Sequence, residues 1–386
     1  MIRDAELLQD MVLTVRRFVA ERLVPLEAEV ARTDRIPASV ADEMRHLGLF
    51  GMTIPEEYGG LGFTAEEEVL VAMELGRTSP AFRSLIGTNN GIGSQGILLD
   101  GTEAQRQEFL PLLASGEIVG SFALTEPDAG SDAASLRTSA ERDGDHYVLD
   151  GTKRYITNAP EADLFTVMAR TDPTQKGSAG ITAFLVPAET PGITIGEPER
   201  KMGQQGTHVA DVVFAGCRVP ETAIIGGLGR LGMGFKTAMK VLDRGRLHIS
   251  AVCVGVAERL IADALEFAQG REQFGRPIAQ HQLVQAMLAD SRTEAYAARS
   301  MVLDAARRRD DGERITMVAA ACKLFASEMV GRVADRAVQI HGGAGYIADY
   351  AVERFYRDVR LFRLYEGTSQ IQQLVIAREM INGATV

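Results

Sequence analysis

Apolar residues change their spacing twice along the chain, which divides the sequence into three blocks. In the first block, Leu7, Met11, Val15 and Phe18 recur at the three- and four-residue intervals of an amphipathic helix. Further helices are predicted over 66–75 and just ahead of Pro111, after a glycine-rich break near residue 60. Residues 1–120 are therefore predicted to form an N-terminal helical domain.

Residues 121–232 have the pattern of a β-sheet. Short β-rich runs, separated by glycine and proline, lie at 136–140, 146–149, 165–168, 181–186 and 209–214. Asp143 and Gly144, between the first two runs, are a strong hairpin turn signal. We expect a middle β domain, either an antiparallel sheet or a small barrel, inserted between helical parts.

Long helices return from residue 233 onward. One apolar face runs from Phe235 to Phe267 and a second from Leu283 to Val302. Two more helices are predicted, over about 317–340 and over 369–380. Four helices of this kind form a bundle, so residues 233–386 are predicted to be a C-terminal four-helix bundle. The predicted fold class is α+β, mainly α.

The composition is that of an ordinary soluble enzyme, with 46% hydrophobic and 24% charged residues. A formal net charge of -11 argues against nucleic acid or an anionic membrane as the main partner. No apolar run reaches the ~18 residues of a membrane span, because Lys323 and Glu328 interrupt the best candidate. The acidic N-terminus lacks the pattern of a signal peptide, so we expect a cytoplasmic protein.

The sequence predicts no metal site and no Rossmann-type dinucleotide site. The three cysteines are far apart and are interpreted as buried small side chains rather than nucleophiles; they are Cys217, Cys253 and Cys322. The six histidines include no pair at i, i+4. A nominal G-x-G-x-x-G match at 227–232 has no second strand after it, and is interpreted as a loop that joins the sheet to the bundle.

A segment near the C-terminus offers a candidate catalytic carboxylate. Glu366 stands directly ahead of a new helix, on a turn in which Gly367 permits a tight backbone path. Thr368 and Ser369 are good N-caps, and Ser369 with Gln372 fits a capping box. A carboxylate held in this way can act as a general base. A surface glutamate beside a helix start has the same local pattern.

Four more segments carry groups that suit a planar, phosphate-bearing ligand. At 122–132 a strand leads into a loop rich in backbone N–H donors and hydroxyls, which is either a binding loop or a plain turn. The loop at 153–159, which follows a turn predicted at Asp150 and Gly151, offers an aromatic face for stacking, or a cross-strand aromatic pair. A cation lies beside an aromatic residue at 271–277. The glycines of 339–346 form either an anion-binding nest or a simple helix C-cap.

Taken together and in this order, these segments resemble the acyl-CoA dehydrogenase family of flavoproteins over nearly the whole chain. The resemblance implies a non-covalent FAD, an acyl-CoA substrate, an electron-transfer flavoprotein as electron acceptor, and a homotetramer with FAD sites at subunit interfaces. By its match to the family's Tyr-Glu-Gly-Thr motif, Glu366 is the base that removes the α-proton while a hydride leaves the β-carbon for flavin N5. The product is a trans-2-enoyl-CoA.

The resemblance also assigns the contacts of both ligands. The cofactor contacts lie in the two predicted loops, beside the catalytic turn, and at positions that in the family hold the FAD of a neighbouring subunit. They are Phe122, Leu124, Thr125, Gly130, Ser131, Tyr155, Ile156, Thr157, Arg271, Phe274, Gln282, Gln339, Gly342, Gly343, Thr368 and Gln370. The acyl-CoA contacts are Ser131, Asp243, Arg246 and Gly367.

Two positions bear on the branch of the family. Some members carry the base at the position that matches Gly245, which has no side chain here, so Glu366 groups the chain with straight-chain or glutaryl-type branches. The second flavin loop usually has Trp where Tyr155 stands, which puts redox tuning and substrate preference in question. Two alternatives stay open: an acyl-CoA oxidase-like flavin enzyme of the same fold, and a helical binding protein without catalysis.

Overall fold

The computed structural model describes residues 2–383, and its N-terminal part is helical, as predicted. The helices are α1 (Ala5–Phe18), α2 (Glu27–Thr33), α3 (Ala38–His46), α4 (Ala65–Leu75), α5 (Pro80–Asn90), α6 (Gln95–Asp100) and α7 (Glu103–Ser115). The prediction that the last of these helices ends ahead of Pro111 is wrong. Helix α7 continues through Pro111, because the burial of Leu110 and Leu113 outweighs the loss of one backbone hydrogen bond.

The middle part of the described chain is a seven-stranded sheet. Its strands are β1 (Gly120–Ala123), β2 (Ser139–Asp143), β3 (His146–Thr157), β4 (Leu164–Arg170), β5 (Ile181–Pro187), β6 (Ile193–Ile195) and β7 (Val209–Pro220). The strand order is β1-β4-β2-β3-β7-β6, with β5 paired to β4. The predicted hairpin is confirmed, since β2 and β3 pair on either side of Gly144.

The sheet is mixed, so the expectation of an antiparallel sheet is only partly right. Strands β1 and β2 both pair with β4 in the parallel sense, whereas the other pairs are antiparallel. Parallel neighbours need a crossover, and the β2–β3 hairpin lies between β1 and β4 in the chain.

Strand β3 corrects the prediction of a separate loop at 153–159. The strand does not turn at Gly151 but runs on to Thr157, paired with β7. Its register shifts between Leu149 and Gly151 and again between Lys153 and Ile156, which marks two bulges. Tyr155 lies in the second bulge with a left-handed φ of 57° and a side chain that is mostly exposed. The strand therefore presents this residue outside the ladder.

The C-terminal part consists of helices α8 (Gly234–Gly270), α9 (Gln282–Asp310), α10 (Thr316–His341), α11 (Ala351–Asp358) and α12 (Ser369–Ile381). A small hairpin of β8 (Glu272–Gln273) and β9 (Arg276–Pro277) joins α8 to α9. The four predicted long helices are confirmed, and α8 and α10 pack side by side at the centre. Helix α11 was not predicted, because its eight residues bury only two large apolar side chains, Val352 and Phe355.

The N-terminal and C-terminal helices share one core, in which α4 packs closely against α8. The approach requires glycine on both sides, since a Cβ on Gly255 would overlap the Met73 carbonyl and one on Gly76 would lie 2.5 Å from that of Val252. Strand β1 begins near the first predicted domain boundary and α8 near the second. The division at 120 and 232 remains a prediction, because this core crosses it.

Two further properties concern the described residues. No helix within 2–383 has both the length and the apolar character needed to cross a membrane. The three cysteines are free and buried, as predicted.

Candidate active site

A cavity of about 370 Å³ opens where the sheet meets the N-terminal and C-terminal helices. Its wall comes from the loop after β1, from β3, α5 and α8, and from the segment ahead of α12. The volume is that of an ordinary small-molecule site. Many of the predicted site residues line it: Phe122, Leu124, Thr125, Gly130, Ser131, Tyr155, Ile156, Thr157, Arg246, Glu366 and Gly367.

Glu366 lies on a backbone elbow that points its carboxylate into the interior. Glu366 and Gly367 both have left-handed backbones, with φ of 53° and 90°. Such a conformation is disfavoured for a residue with a side chain, so the surrounding contacts must hold it. The carboxylate oxygen Oε2 is enclosed and has no hydrogen-bond partner among residues 2–383. Burial raises the pKa of Glu366, although the cations of Arg83, Lys323 and Arg246 oppose the shift.

The hydrogen bonds around the elbow correct the predicted capping box. The N-cap of α12 is Thr368, whose hydroxyl accepts from the backbone N–H of Ile371 at 3.2 Å. Gln372 instead donates from Nε2 to the carbonyl oxygens of Glu366 (3.1 Å) and Gly367 (2.9 Å). The glutamine therefore holds the turn rather than a helix-cap N–H, because the left-handed residues direct both carbonyls towards it.

Gly245 of α8 faces the carboxylate of Glu366. A Cβ at this position would overlap Oε2 of Glu366. The glycine thus leaves the space that the glutamate side chain occupies.

The loop after β1 is anchored by a buried ion pair. Glu126 Oε1 accepts from Lys153 Nζ at 2.8 Å and from Thr138, while Oε2 accepts from the backbone N–H of Arg137 at 2.6 Å. Lys153 is fully buried and also donates to the carbonyl of Leu124 at 3.2 Å. Burial lowers the pKa of Lys153 to about 8, although Glu126 opposes the shift. The ion pair therefore holds the loop after β1 against strand β3.

The cavity offers free polar groups at the positions predicted to bind a flavin. The hydroxyls of Thr125, Ser131 and Thr157 line it and make no hydrogen bond within the described part of the chain. A Cβ on Gly130 would meet nothing within 4 Å, so this stretch of backbone faces open space. Apolar walls with a few polar groups suit the edge of a planar heterocycle, so the residues fit the cofactor.

A network of charged side chains ends at the cavity wall. Arg83 Nε donates to His248 Nε2 (2.8 Å), and His248 Nδ1 donates to Glu68 Oε1 (2.9 Å). Burial and the cation of Arg83 lower the pKa of His248, so its ring is neutral and can accept from one neighbour while it donates to the other. Arg244 Nε completes the network on Glu68 Oε2 at 2.8 Å.

Sequence reasoning missed this network, because its members come from α4, α5 and α8 and form no motif. The available signal was weak: a charged residue within an otherwise apolar helix face. Lys323, a fully buried residue of α10 near Glu366, was missed in the same way.

The other predicted site residues lie outside this cavity. Asp243 lies behind Arg246 and accepts from its Nη1 at 2.8 Å. The rest lie on the helical part, from the end of α8 to the start of α12: Arg271, Phe274, Gln282, Gln339, Gly342, Gly343, Thr368 and Gln370. Phe274 has 94% of its surface exposed. Their roles towards FAD remain predictions.

The chain matches all three domains that characterise acyl-CoA dehydrogenases. The N-terminal domain matches residues 5–117, the middle domain 121–217 and the C-terminal domain 232–381. An acyl-CoA dehydrogenase of Bacillus subtilis (strain 168) is 41% identical, with 96% of each chain covered. A 3-(aryl)acrylate reductase of Clostridium sporogenes is 40% identical, over 95% of this chain and 96% of that protein.

A solved structure has the same fold. Butyryl-CoA dehydrogenase from Megasphaera elsdenii superposes with a TM-score of 0.94 at 35% identity, covering 99% of this chain and 100% of the other. The chain belongs to the acyl-CoA dehydrogenase family. It is therefore an oxidoreductase with a flavin cofactor and an acyl-CoA substrate, and the alternative of a helical protein without catalysis is dropped.

Proposed function

We propose that the protein is an FAD-dependent acyl-CoA dehydrogenase that converts an acyl-CoA thioester to a trans-2-enoyl-CoA, with Glu366 as the base. The observation that carries this proposal is the enclosed carboxylate of Glu366, which lines the same cavity as Thr125, Ser131 and Thr157. Its raised pKa makes it a stronger base than an exposed glutamate, as removal of a weakly acidic α-proton requires. Electrons would pass to an electron-transfer flavoprotein.

The residues around the cavity have separate roles in the proposed reaction. Glu366 takes the α-proton on its carboxylate, while its backbone N–H polarises the thioester carbonyl and stabilises the developing enolate. Ser131, Arg246 and Gly367 would contact the acyl-CoA. When bound, the flavin supplies the hydride acceptor for the β-carbon. The apolar wall of the cavity excludes water from the reacting groups.

The test is anaerobic flavin bleaching with a panel of saturated acyl-CoAs. Glu366→Gln is expected to bind the acyl-CoA with little change in affinity and to bleach at least ~10³-fold more slowly, because the amide cannot accept the proton. Glu313→Gln, an exposed glutamate beside Arg308, serves as the control and should bleach normally. Normal bleaching by Glu366→Gln would refute the assignment of the base.

The reverse direction is a second candidate, favoured by the 40% identity to a 3-(aryl)acrylate reductase. Proton transfer to the α-carbon would then come from protonated Glu366, so one site serves both directions. The discriminating measurement is NADH consumption with enoyl-CoA or arylacrylyl-CoA, with and without an electron-transfer flavoprotein. A rate of NADH consumption that exceeds the rate of acyl-CoA dehydrogenation would favour the reductase. Rapid reoxidation of the reduced, product-bound enzyme by oxygen would instead favour an oxidase.

We further propose that FAD lies between the subunits of a cytoplasmic homotetramer. Phe274 and Leu283, with 94% and 82% of their surfaces exposed, lie next to the predicted contacts Arg271 and Gln282. Apolar side chains at this exposure support coverage by a second copy. Light scattering on the flavin-loaded protein gives the assembly mass, and Phe274→Ser should lower both the mass and the flavin content.

A further inference from the structure

Lysine is rare in this chain, and its burial at one position has no ordinary explanation. The sequence contains six lysines, which are Lys153, Lys176, Lys201, Lys236, Lys240 and Lys323. Lys153 and Lys323 are fully buried. Lys153 has the carboxylate of Glu126 at 2.8 Å, whereas Lys323 has no carboxylate within ion-pair distance in residues 2–383. A buried ammonium without a close counter-ion is costly, so its position needs another cause.

Lys323 donates its hydrogen bond to the catalytic turn. Its Nζ lies 2.7 Å from the carbonyl oxygen of Gly367, the residue directly after Glu366. The same carbonyl accepts from Gln372, which is also fully buried. Two donors from α10 and α12 therefore hold one carbonyl of the elbow, and Gln372 holds the carbonyl of Glu366 as well.

These bonds oppose the strain of the elbow. The left-handed backbone is unfavourable at the glutamate, since its Cβ crowds the following carbonyl. The charge-assisted hydrogen bond from Lys323 to the Gly367 carbonyl, together with the two bonds from the Gln372 amide, opposes that cost. Without the ammonium, the peptide between Gly367 and Thr368 keeps only the bond from Gln372, so the turn that directs the carboxylate of Glu366 would be held less firmly.

Lys323 and Glu366 also interact through their charges. The carboxylate favours the charged form of the lysine, and the ammonium favours the ionised form of the carboxylate. The other groups that face this pair come from four helices: Glu68 from α4, Arg83 from α5, Arg246 and Cys253 from α8, and Glu328 from α10. The cations outnumber the anions around Glu366, so these neighbours oppose the rise in the pKa of Glu366 that burial causes.

We propose that Lys323 is a positioning residue for the reaction: its ammonium holds the Gly367 carbonyl, steadies the turn that directs the Glu366 carboxylate, and balances the charge of that carboxylate. The inference rests on the proposed role of Glu366 as the base. Lys323 itself does not line the cavity and transfers no proton to the substrate.

The first test measures the charge coupling without turnover. With only six lysines, the flavin-loaded protein labelled with 13C and 15N in lysine gives a resolvable set of side-chain NMR signals. Burial lowers the pKa values of Lys323 and Lys153 to about 8, so both signals titrate well below those of the exposed lysines, and the one that is missing from Lys323→Arg belongs to Lys323. Glu366→Gln removes the neighbouring negative charge and should move this midpoint to lower pH. Glu313→Gln, which is remote, should leave it in place.

The second test separates positioning from binding. Lys323→Met should retain flavin and bind acyl-CoA within ~3-fold of the wild type, yet bleach at least ~10-fold more slowly, because a displaced base loses its alignment. The pKa of Glu366 should rise without the ammonium, so the acid limb of the pH–rate profile should move to higher pH. Lys323→Arg keeps the charge and should restore the acid limb, even if its bulk slows the reaction.

The control on the same helix is Ser327→Ala, a fully buried residue whose hydroxyl, among residues 2–383, bonds only to the Leu324 carbonyl of its own helix. It should leave both the rate and the pH profile unchanged. Two results would overturn the proposal: a lysine midpoint that ignores Glu366→Gln, or an unshifted acid limb in Lys323→Met. If Lys323→Met does not fold, the NMR comparison decides alone, since it keeps Lys323. If no acyl-CoA bleaches the wild type, the proposed function fails, and the NMR coupling is still measured separately.

Discussion

Substitution of the buried ion pair that anchors the loop after β1 should show that the contributions of Glu126 and Lys153 to stability depend on each other. Glu126→Leu leaves the fully buried ammonium of Lys153 without its counter-ion. Loss of one partner of a buried pair costs about 3–5 kcal/mol, which is a large part of the ~5–15 kcal/mol that holds a domain together. Lys153→Met should cost a similar amount, because it leaves the Glu126 carboxylate enclosed.

The double variant separates the pair from its surroundings. Glu126→Leu with Lys153→Met replaces both charges by apolar groups of similar size, which is often nearly neutral. The backbone N–H groups of Arg137 and Thr138 lose their acceptor, so about 1–3 kcal/mol should remain as the cost. Since the two single costs sum to about 6–10 kcal/mol, the coupling energy should be at least ~3 kcal/mol.

The assay is urea unfolding followed by far-ultraviolet circular dichroism, with flavin content measured on each variant. Flavin content should fall in both single variants, because Lys153 also holds the Leu124 carbonyl in the cofactor loop. The exposed pair Arg218–Asp143, at 3.1 Å, is the matched control, and its cycle should give about 1 kcal/mol or less. A coupling below ~1 kcal/mol for Glu126 and Lys153 would contradict the reasoning.

Three further predictions concern the catalytic turn and its surroundings. Gly245→Ala should keep the fold and the flavin but slow bleaching at least ~10-fold, because the new Cβ displaces the Glu366 carboxylate, while Gly229→Ala, in open space, should have no effect. Thr368→Ala removes the N-cap of α12 and should lower the free energy of unfolding by about 1 kcal/mol, measured in urea. Burial opposes the charge of Glu68, but Arg244 and the hydrogen bond from His248 outweigh burial and lower its pKa from 4.5 to about 2. The stabilisation from Glu68, about 3 kcal/mol, is present above pH ~4.5 and lost as the pH falls towards 2, so urea titrations of Glu68→Gln should show a flatter acid dependence; an equally steep one would refute this.

The spacing of apolar residues was sufficient to predict the long helices. Helices such as α8, with 37 residues, repeat an apolar face many times, so the period is unmistakable even where single positions deviate. Short elements could not be predicted in this way. Helix α11, for example, has eight residues and too few apolar positions to define a period. The bulged course of β3 depended on pairing with β7, which is remote in sequence, so a Gly151 turn was predicted where the strand continues.

Glu366 was predicted as the candidate base from the chain alone because its chemistry is contiguous: a carboxylate, a glycine and a helix cap follow one another. The same order of segments also identified the family. The groups that surround Glu366 could not be identified in this way. Arg83, His248 and Lys323 come from three separate helices, and each is an ordinary charged residue until distance and burial are known. Electrostatic and hydrogen-bond energies depend on separation and solvent exclusion, which neighbours in sequence do not define, so the surroundings of Glu366 were decided only by the packing of the helices.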